Sequence, residues 1–232
     1  MAPVLLALGL VVYNTAANRW APFRGWAYVP LNLGATAVVV WIGAGPLGLD
    51  AASMGFGAGW GTDALIGIGI GAVLAVSVFV AALVPRTRRF VADERVRGLS
   101  GWGLAYRMLV RVPVGTALLE ETAFRGVLYG ALLPHGMTAA ALGSAIPFGL
   151  WHVSPTLNLV EENRPGAAAR ATAAAVIGAI LMTTLVGIGF AAMRDATSTL
   201  GVPLGLHAAL NSLATLAAAL AVRRTTRDGQ FH

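Results

Sequence analysis

Apolar residues in this chain gather into long runs broken by short polar gaps, at about 3–18, 29–45, 64–84, 104–133, 136–152, 171–193 and 197–222. A helix needs about 20 such residues to cross roughly 30 Å of hydrocarbon. The pattern therefore predicts an all-α, polytopic transmembrane bundle of about seven spans, of which the first, second and fifth are short. No polar linker, compositional break or solenoid-length repeat divides the chain. The expected organisation is one integrated membrane domain, with helices and a basic loop over 1–103, a helical core over 104–222 and a basic tail over 223–232.

The gaps set an orientation. The first run has no basic residue before it, as a secretory signal would, and is followed by Arg19 and Arg24. It is read as a retained helix with its amino end outside. Alternating the gaps from there puts Arg86 to Arg97, Arg164, Arg170 and Arg223 to Arg227 on the inner side. Asp50, Asp63 and the adjoining Arg194 and Asp195 fall in short outer gaps. Trp20, Trp26, Trp41, Trp60, Trp102 and Trp151 lie at or near predicted helix ends, as interfacial aromatics do. Gly67 and Gly71 have the spacing that lets two helices approach closely, read here as packing within the molecule. The inner stretch 86–103 mixes arginines with Phe90, Val96, Leu99 and Trp102, and reads either as a segment lying on the lipid surface or as a solvated loop.

Composition agrees with the membrane reading: 57% of the 232 residues are hydrophobic, 11% are charged and the mean hydropathy is +0.73. With no cysteine, thiolate nucleophiles, disulfides and cysteine-ligated metal sites are excluded. All 16 basic residues are arginine, and the formal charge is +6. Because the arginines cluster in the gaps, they serve orientation and anionic-lipid contact, and no nucleic-acid partner is expected. The Ala-, Gly- and Arg-rich, Lys-free composition resembles that of proteins from GC-rich bacteria. The expected location is the bacterial inner membrane, with the N-terminus outside and the C-terminus in the cytoplasm.

Against this background three ionisable groups interrupt the fourth run, Glu120, Glu121 and Arg125. A charge at a helix centre costs about 2.5–3.5 kcal/mol on insertion scales, so such groups face the bundle interior, pair, or line a wet cavity. Glu121 and Arg125 are four residues apart in the favourable order for an intrahelical ion pair. Glu120 points about 100° away around the helix and has no basic residue one turn before or after it. Later runs add His152, with Phe148 one turn before it, and His207, with Asn211 one turn after it. In the predicted topology Glu120 lies nine residues outward of Arg111 and Asn211 twelve outward of Arg223, so both sit roughly 13–18 Å above the inner surface. A polar cavity shared by Glu120, His152, His207 and Asn211 and open to the cytoplasmic side is geometrically allowed.

Glu120-Glu121-Thr-Ala-Phe-Arg125, Phe148-xxx-His152 and His207-xxx-Asn211 occur in that order, and together they resemble the three motifs of the CAAX-protease and bacteriocin-processing (Abi) family. The resemblance covers about 90 residues; the first hundred carry no such signature. It implies a metal-independent glutamate-type intramembrane endopeptidase in which Glu120 and His152 activate water and His207 and Asn211 stabilise the oxyanion. Glu121, Arg125 and Phe148 support them. It also implies a membrane-associated peptide or protein tail as substrate, with lipid as the other partner.

The residues fit those roles, since amide hydrolysis needs a base, a water and donors at the developing oxyanion. The alternatives are a zinc-bound water held by Glu120, His152 and His207, a non-catalytic membrane scaffold or immunity protein, and a proton-coupled transporter using the same buried groups. Other intramembrane protease signatures are absent or misplaced. Gly98-Leu-Ser100-Gly101 lies in the arginine-rich stretch, Gly59-Trp-Gly61-Thr-Asp63 is one residue too long for an aspartyl site, and no HExxH occurs.

Overall fold

A computed structural model describes residues 1–227 and 229, leaving aside the side chain of Arg24. Every regular element among the described residues is helical. In chain order these are α1 (Ala2–Arg19), α2 (Ala21–Arg24), α3 (Tyr28–Ala44), α4 (Trp60–Leu83), α5 (Pro85–Val91), α6 (Gly101–Tyr106), α7 (Leu118–Glu121), α8 (Tyr129–Leu132), α9 (Met137–Trp151), α10 (Val153–Asn163), α11 (Ala169–Thr197) and α12 (Gly201–Arg227). Helices α4, α11 and α12 are long and apolar enough to cross a membrane. The others that match expected spans are shorter or interrupted.

The bundle is inverted relative to a water-soluble protein. Leu5, Leu65, Val73 and Leu181 are 60–72% exposed on its flank, whereas Asn14, Asn32, Glu120, Glu121, Arg125 and His207 are buried. Lipid rewards that distribution and water does not.

The expected span 104–133 is one helical path with changes of register. A π-helical segment, Arg107–Ala117, joins α6 to α7, and a second, Thr122–Leu128, joins α7 to α8. Pro113 lies inside the first; it has no N–H to give, and a wider i→i+5 turn is one way a helix absorbs that defect. Between the two segments a single α-turn, α7, carries Glu120 and Glu121.

Helices α4 and α12 pack along a seam of small residues. A Cβ at Gly67 would collide with the Val202 carbonyl, and one at Gly71 would lie 2.7 Å from the Leu206 carbonyl. From the other side, Gly201 and Gly205 press on the backbone of Trp60 and Ala64. The glycine spacing thus serves an intramolecular seam, as expected.

At one end the connection between α3 and α4 folds back as a plug. Ser53 N–H donates to Asp50 Oδ1 at 2.7 Å to form a turn, and Met54 is buried in the core beside Val127. Arg194 Nη2 donates to the carbonyls of Ala52 and Ser53. The expected outer gap at 194–196 is therefore corrected: α11 continues through it, and Arg194 is buried because it holds the plug.

At the other end the basic stretch is ordered. Helix α5 and a 3-10 turn over Glu94–Val96 lead to Leu99, which packs with Val96 against Ala218, Ala219 and Val222 of α12. The reading as a free solvated loop is corrected, and Phe90 and Trp102 remain exposed on the ordered stretch. The expected inner loop 153–170 contains α10, and α12 extends to Arg227, so the first residues of the expected tail are its last turns. Positions 228 and 230–232 of that tail lie outside the described residues.

Candidate active site

The site is assembled at the helix termini and register changes just described. Helix α9 ends at Trp151, leaving its last carbonyls without intrahelical partners. Two side chains take them. His152 Nδ1, immediately after the helix, donates to the Phe148 carbonyl at 2.8 Å, and Asn14 Nδ2 of α1 donates to the Trp151 carbonyl at 2.6 Å. Because a carbonyl only accepts, His152 carries its proton on Nδ1 in this arrangement and has a lone pair on Nε2.

Fixed in this way, Trp151 turns its indole inward. It is 4% exposed, packs edge-on against Phe124 at 5.6 Å, and its Nε1–H donates to Glu120 Oε1 at 3.0 Å. This corrects the reading of Trp151 as an interfacial aromatic; the other five tryptophans are 42–87% exposed. The second oxygen, Glu120 Oε2, has no hydrogen-bond partner among the described residues and lies 3.9 Å from His207 Nε2.

Glu121 pairs with Arg125 as its spacing predicts, Oε1 to Nη1 at 3.4 Å, with both side chains wholly buried. The shorter bond goes elsewhere. His207 Nδ1 donates to the same oxygen at 2.7 Å, across 86 positions of sequence. Glu121 is therefore a hinge between Arg125 and His207 rather than a simple intrahelical partner. Arg125 in turn stacks 3.9 Å above the ring of Phe148 and 5.2 Å from that of Phe190, aromatic faces that accommodate a buried guanidinium. Phe148 also meets His152 edge-on at 4.7 Å, so the Phe-xxx-His pair supports both the imidazole and the arginine.

Glu120, His152, His207 and Asn211 all line one cavity of about 1200 Å³, while Glu121, Arg125 and Phe148 stand behind its wall. Glu120 and His207 are each 6% exposed, His152 is half-buried and Asn211 is exposed. The cavity extends toward Arg95, Arg107 and Arg111 at the arginine-rich end.

A wall that carries no motif comes from the first helices. Asn32 Nδ2 donates to the Gly115 carbonyl at 2.6 Å and accepts from Tyr13, and the Tyr28 and Thr116 hydroxyls share a hydrogen bond at 2.7 Å. These bonds tie α3 to the first π segment. Polar residues at 13, 14, 28 and 32 within apolar runs were the available signal, the same one that singled out Asn211.

Among the described residues no three of the His, Asp and Glu side chains form a group that could hold a metal ion. Residues 102–213, which include all seven site residues, match the model of the type II CAAX prenyl endopeptidase Rce1-like family. No curated protein and no solved structure matches the chain. In its three motifs and over residues 102–213, just under half of its length, the chain is similar to the Rce1-like family of type II CAAX prenyl endopeptidases.

Proposed function

We propose that the protein hydrolyses a peptide bond in a membrane-associated peptide or protein tail, using a water activated at Glu120 without a metal. The observation that carries this reading is the asymmetry of the Glu120 carboxylate in the cavity lining: one oxygen is held by the Trp151 indole, and the other is buried without a hydrogen bond, 3.9 Å from His207 Nε2. A fixed carboxylate with one vacant oxygen in a poorly solvated cavity is suited to take a proton from water.

His152 presents its Nε2 lone pair to the same cavity and shares or relays that proton. His207 is oriented by Glu121 as a catalytic histidine is oriented by an acid. With protons on both ring nitrogens, it completes a neutral quartet with Glu120, Glu121 and Arg125, and its Nε2–H becomes a donor beside the reacting centre. Asn211 has no side-chain hydrogen bond among the described residues and lies one turn further along the same face, free to donate to an oxyanion. The arginine-rich mouth faces the cytoplasm of a bacterium, where a leader peptide or membrane-protein tail is a more available substrate than a prenylated one.

The test is cleavage of a fluorogenic peptide library by the protein reconstituted in lipid, beside Glu120→Gln. Wild-type turnover that survives exhaustive chelation, together with loss of at least about 10³-fold in the variant, is the expected result. Equal turnover by both forms overturns the mechanism, and turnover abolished by chelation and restored by zinc overturns its metal independence.

A further inference from the structure

The catalytic reading leaves two charges unused. Arg107 and Arg111 lie one helical turn apart on the first π segment and line the cavity below Glu120. Like charges at this spacing repel, and both side chains are half-buried, so the arrangement is costly without an anion. Asp93 acts on Arg107 only from a distance. The acids at the mouth, Asp93 and Glu162, lie 2.7 Å and 3.9 Å from Arg95, and no carboxylate among the described residues comes within ion-pair distance of Arg107 or Arg111.

Both guanidiniums are nevertheless held in place. Arg107 Nη1 donates to the Arg95 carbonyl at 2.8 Å. Arg111 Nη1 donates to the Gly25 carbonyl at 3.2 Å while its guanidinium lies 3.7 Å over the ring of Tyr28. Each bond uses one edge of a five-donor fork and leaves the others free. Two anchored forks on one cavity wall form a preorganised receptor for a carboxylate.

We propose that Arg107 and Arg111 bind a carboxylate of the peptide substrate, terminal or side-chain, and so set which peptide bond reaches Glu120. Arg111 lies nine residues before Glu120, at most about 13 Å along the helix. An extended peptide covers that span in about four residues. The bound carboxylate is therefore within about four residues of the scissile bond. Thr116, Tyr28 and Asn32 line the cavity between the arginines and Glu120 and suit the polar backbone of a peptide.

The inference rests on the proteolytic reading for its substrate but is tested by binding alone. Wild-type and Glu120→Gln protein in phosphatidylcholine nanodiscs are titrated with a dansyl-labelled octapeptide of alanine and leucine bearing a free carboxyl terminus. The same peptide as its amide, and the amide with one internal glutamate, complete the series. Both carboxylate-bearing peptides are expected to bind at least about tenfold tighter than the plain amide, the loss of one charge-assisted hydrogen bond. The acid alone binding tightly identifies the chain terminus as the source, and the glutamate peptide alone identifies a side chain.

In R107Q and R111Q proteins, checked for wild-type thermal unfolding, the difference between acid and amide is expected to disappear. Acid and amide binding alike to wild type, neither binding, or a preference that persists in the folded variants overturns the proposal. So does loss of acid binding when phosphatidylglycerol is added, since the site is then a lipid site. Because the wild-type comparison needs no variant, misfolding of R107Q or R111Q leaves the proposal open to refutation. Acid-selective binding without cleavage overturns the proteolytic reading and leaves the carboxylate site standing.

Discussion

The Trp151 indole donates to Glu120 Oε1 at 3.0 Å while the Trp151 carbonyl accepts from Asn14 at 2.6 Å. One residue thereby ties the first helix of the chain to the carboxylate proposed to activate water. Trp151→Phe keeps most of the ring's packing on Phe124 and deletes only the donor. Leaving a buried carboxylate oxygen unsatisfied costs about 1–3 kcal/mol, so kcat/KM is expected to fall roughly 10–100-fold. An unchanged rate shows that the bond is passive.

The two adjacent glutamates separate stability from activity. Glu120→Gln preserves shape and leaves the Arg125–Glu121–His207 group intact, so the unfolding temperature in detergent is expected to stay within a few degrees of wild type. Glu121→Gln leaves Arg125 without its anion in a site with no solvent. Removing one partner of a buried ion pair typically costs about 3–5 kcal/mol, so this variant is expected to unfold at much lower temperature or fail to accumulate. Similar unfolding temperatures for the two contradict the division of roles.

What the sequence displayed, and what it concealed, follows from the range of the interactions. The apolar runs located α1, α3, α4, α9, α11 and α12 to within a few residues because hydrophobic length is a local property. The Glu121–Arg125 pair was legible because both ends lie on one turn. The stronger bond from His207 to Glu121 was not, since helical geometry gives a residue's neighbours on its own helix and none on another. Trp151 was misread for a related reason: a tryptophan at a helix end has the same sequence context whether it faces lipid or the core. Neither π segment was anticipated: Pro113 inside the first is a local cue for a helix defect, and nothing in the sequence marks the second, over Thr122–Leu128.

The α4–α12 seam predicts opposite effects at neighbouring glycines. Gly71→Ala places a methyl against the Leu206 backbone, and overpacking of this kind costs about 1–3 kcal/mol. Gly69→Ala meets nothing within 4 Å and exchanges glycine for a better helix former, worth up to about 1 kcal/mol. Thermal unfolding of the two variants checks the contrast, and equal shifts are incompatible with the seam.

The order of the basic stretch depends on pH. Burial pushes the Asp93 carboxyl up, but the hydrogen bonds and charge of Arg95 outweigh it and hold the carboxyl below its usual value. A folded value lower than the unfolded one, near 3.9, means that the stabilisation is complete above the unfolded value and disappears as pH falls through the folded one. Amide protection over 92–100, corrected for the intrinsic exchange rate at each pH, is expected to be constant from pH 7 to 5 and to fall in more acidic solution. In Asp93→Asn the exchange is expected to be fast throughout, and an acid-insensitive wild type refutes the link.

Glycines on both sides of the α4–α12 seam also determine how the last helix can turn. Where side chains interlock, a helix can rotate a little and repack. Where backbone rests on backbone there is no such give, and rotation about the axis is the motion most strongly opposed. His207 and Asn211 project from that helix, so their aim into the cavity is inherited from residues that have no side chains of their own. A substitution at Gly201 or Gly205, touching neither substrate nor water, would misdirect both at once.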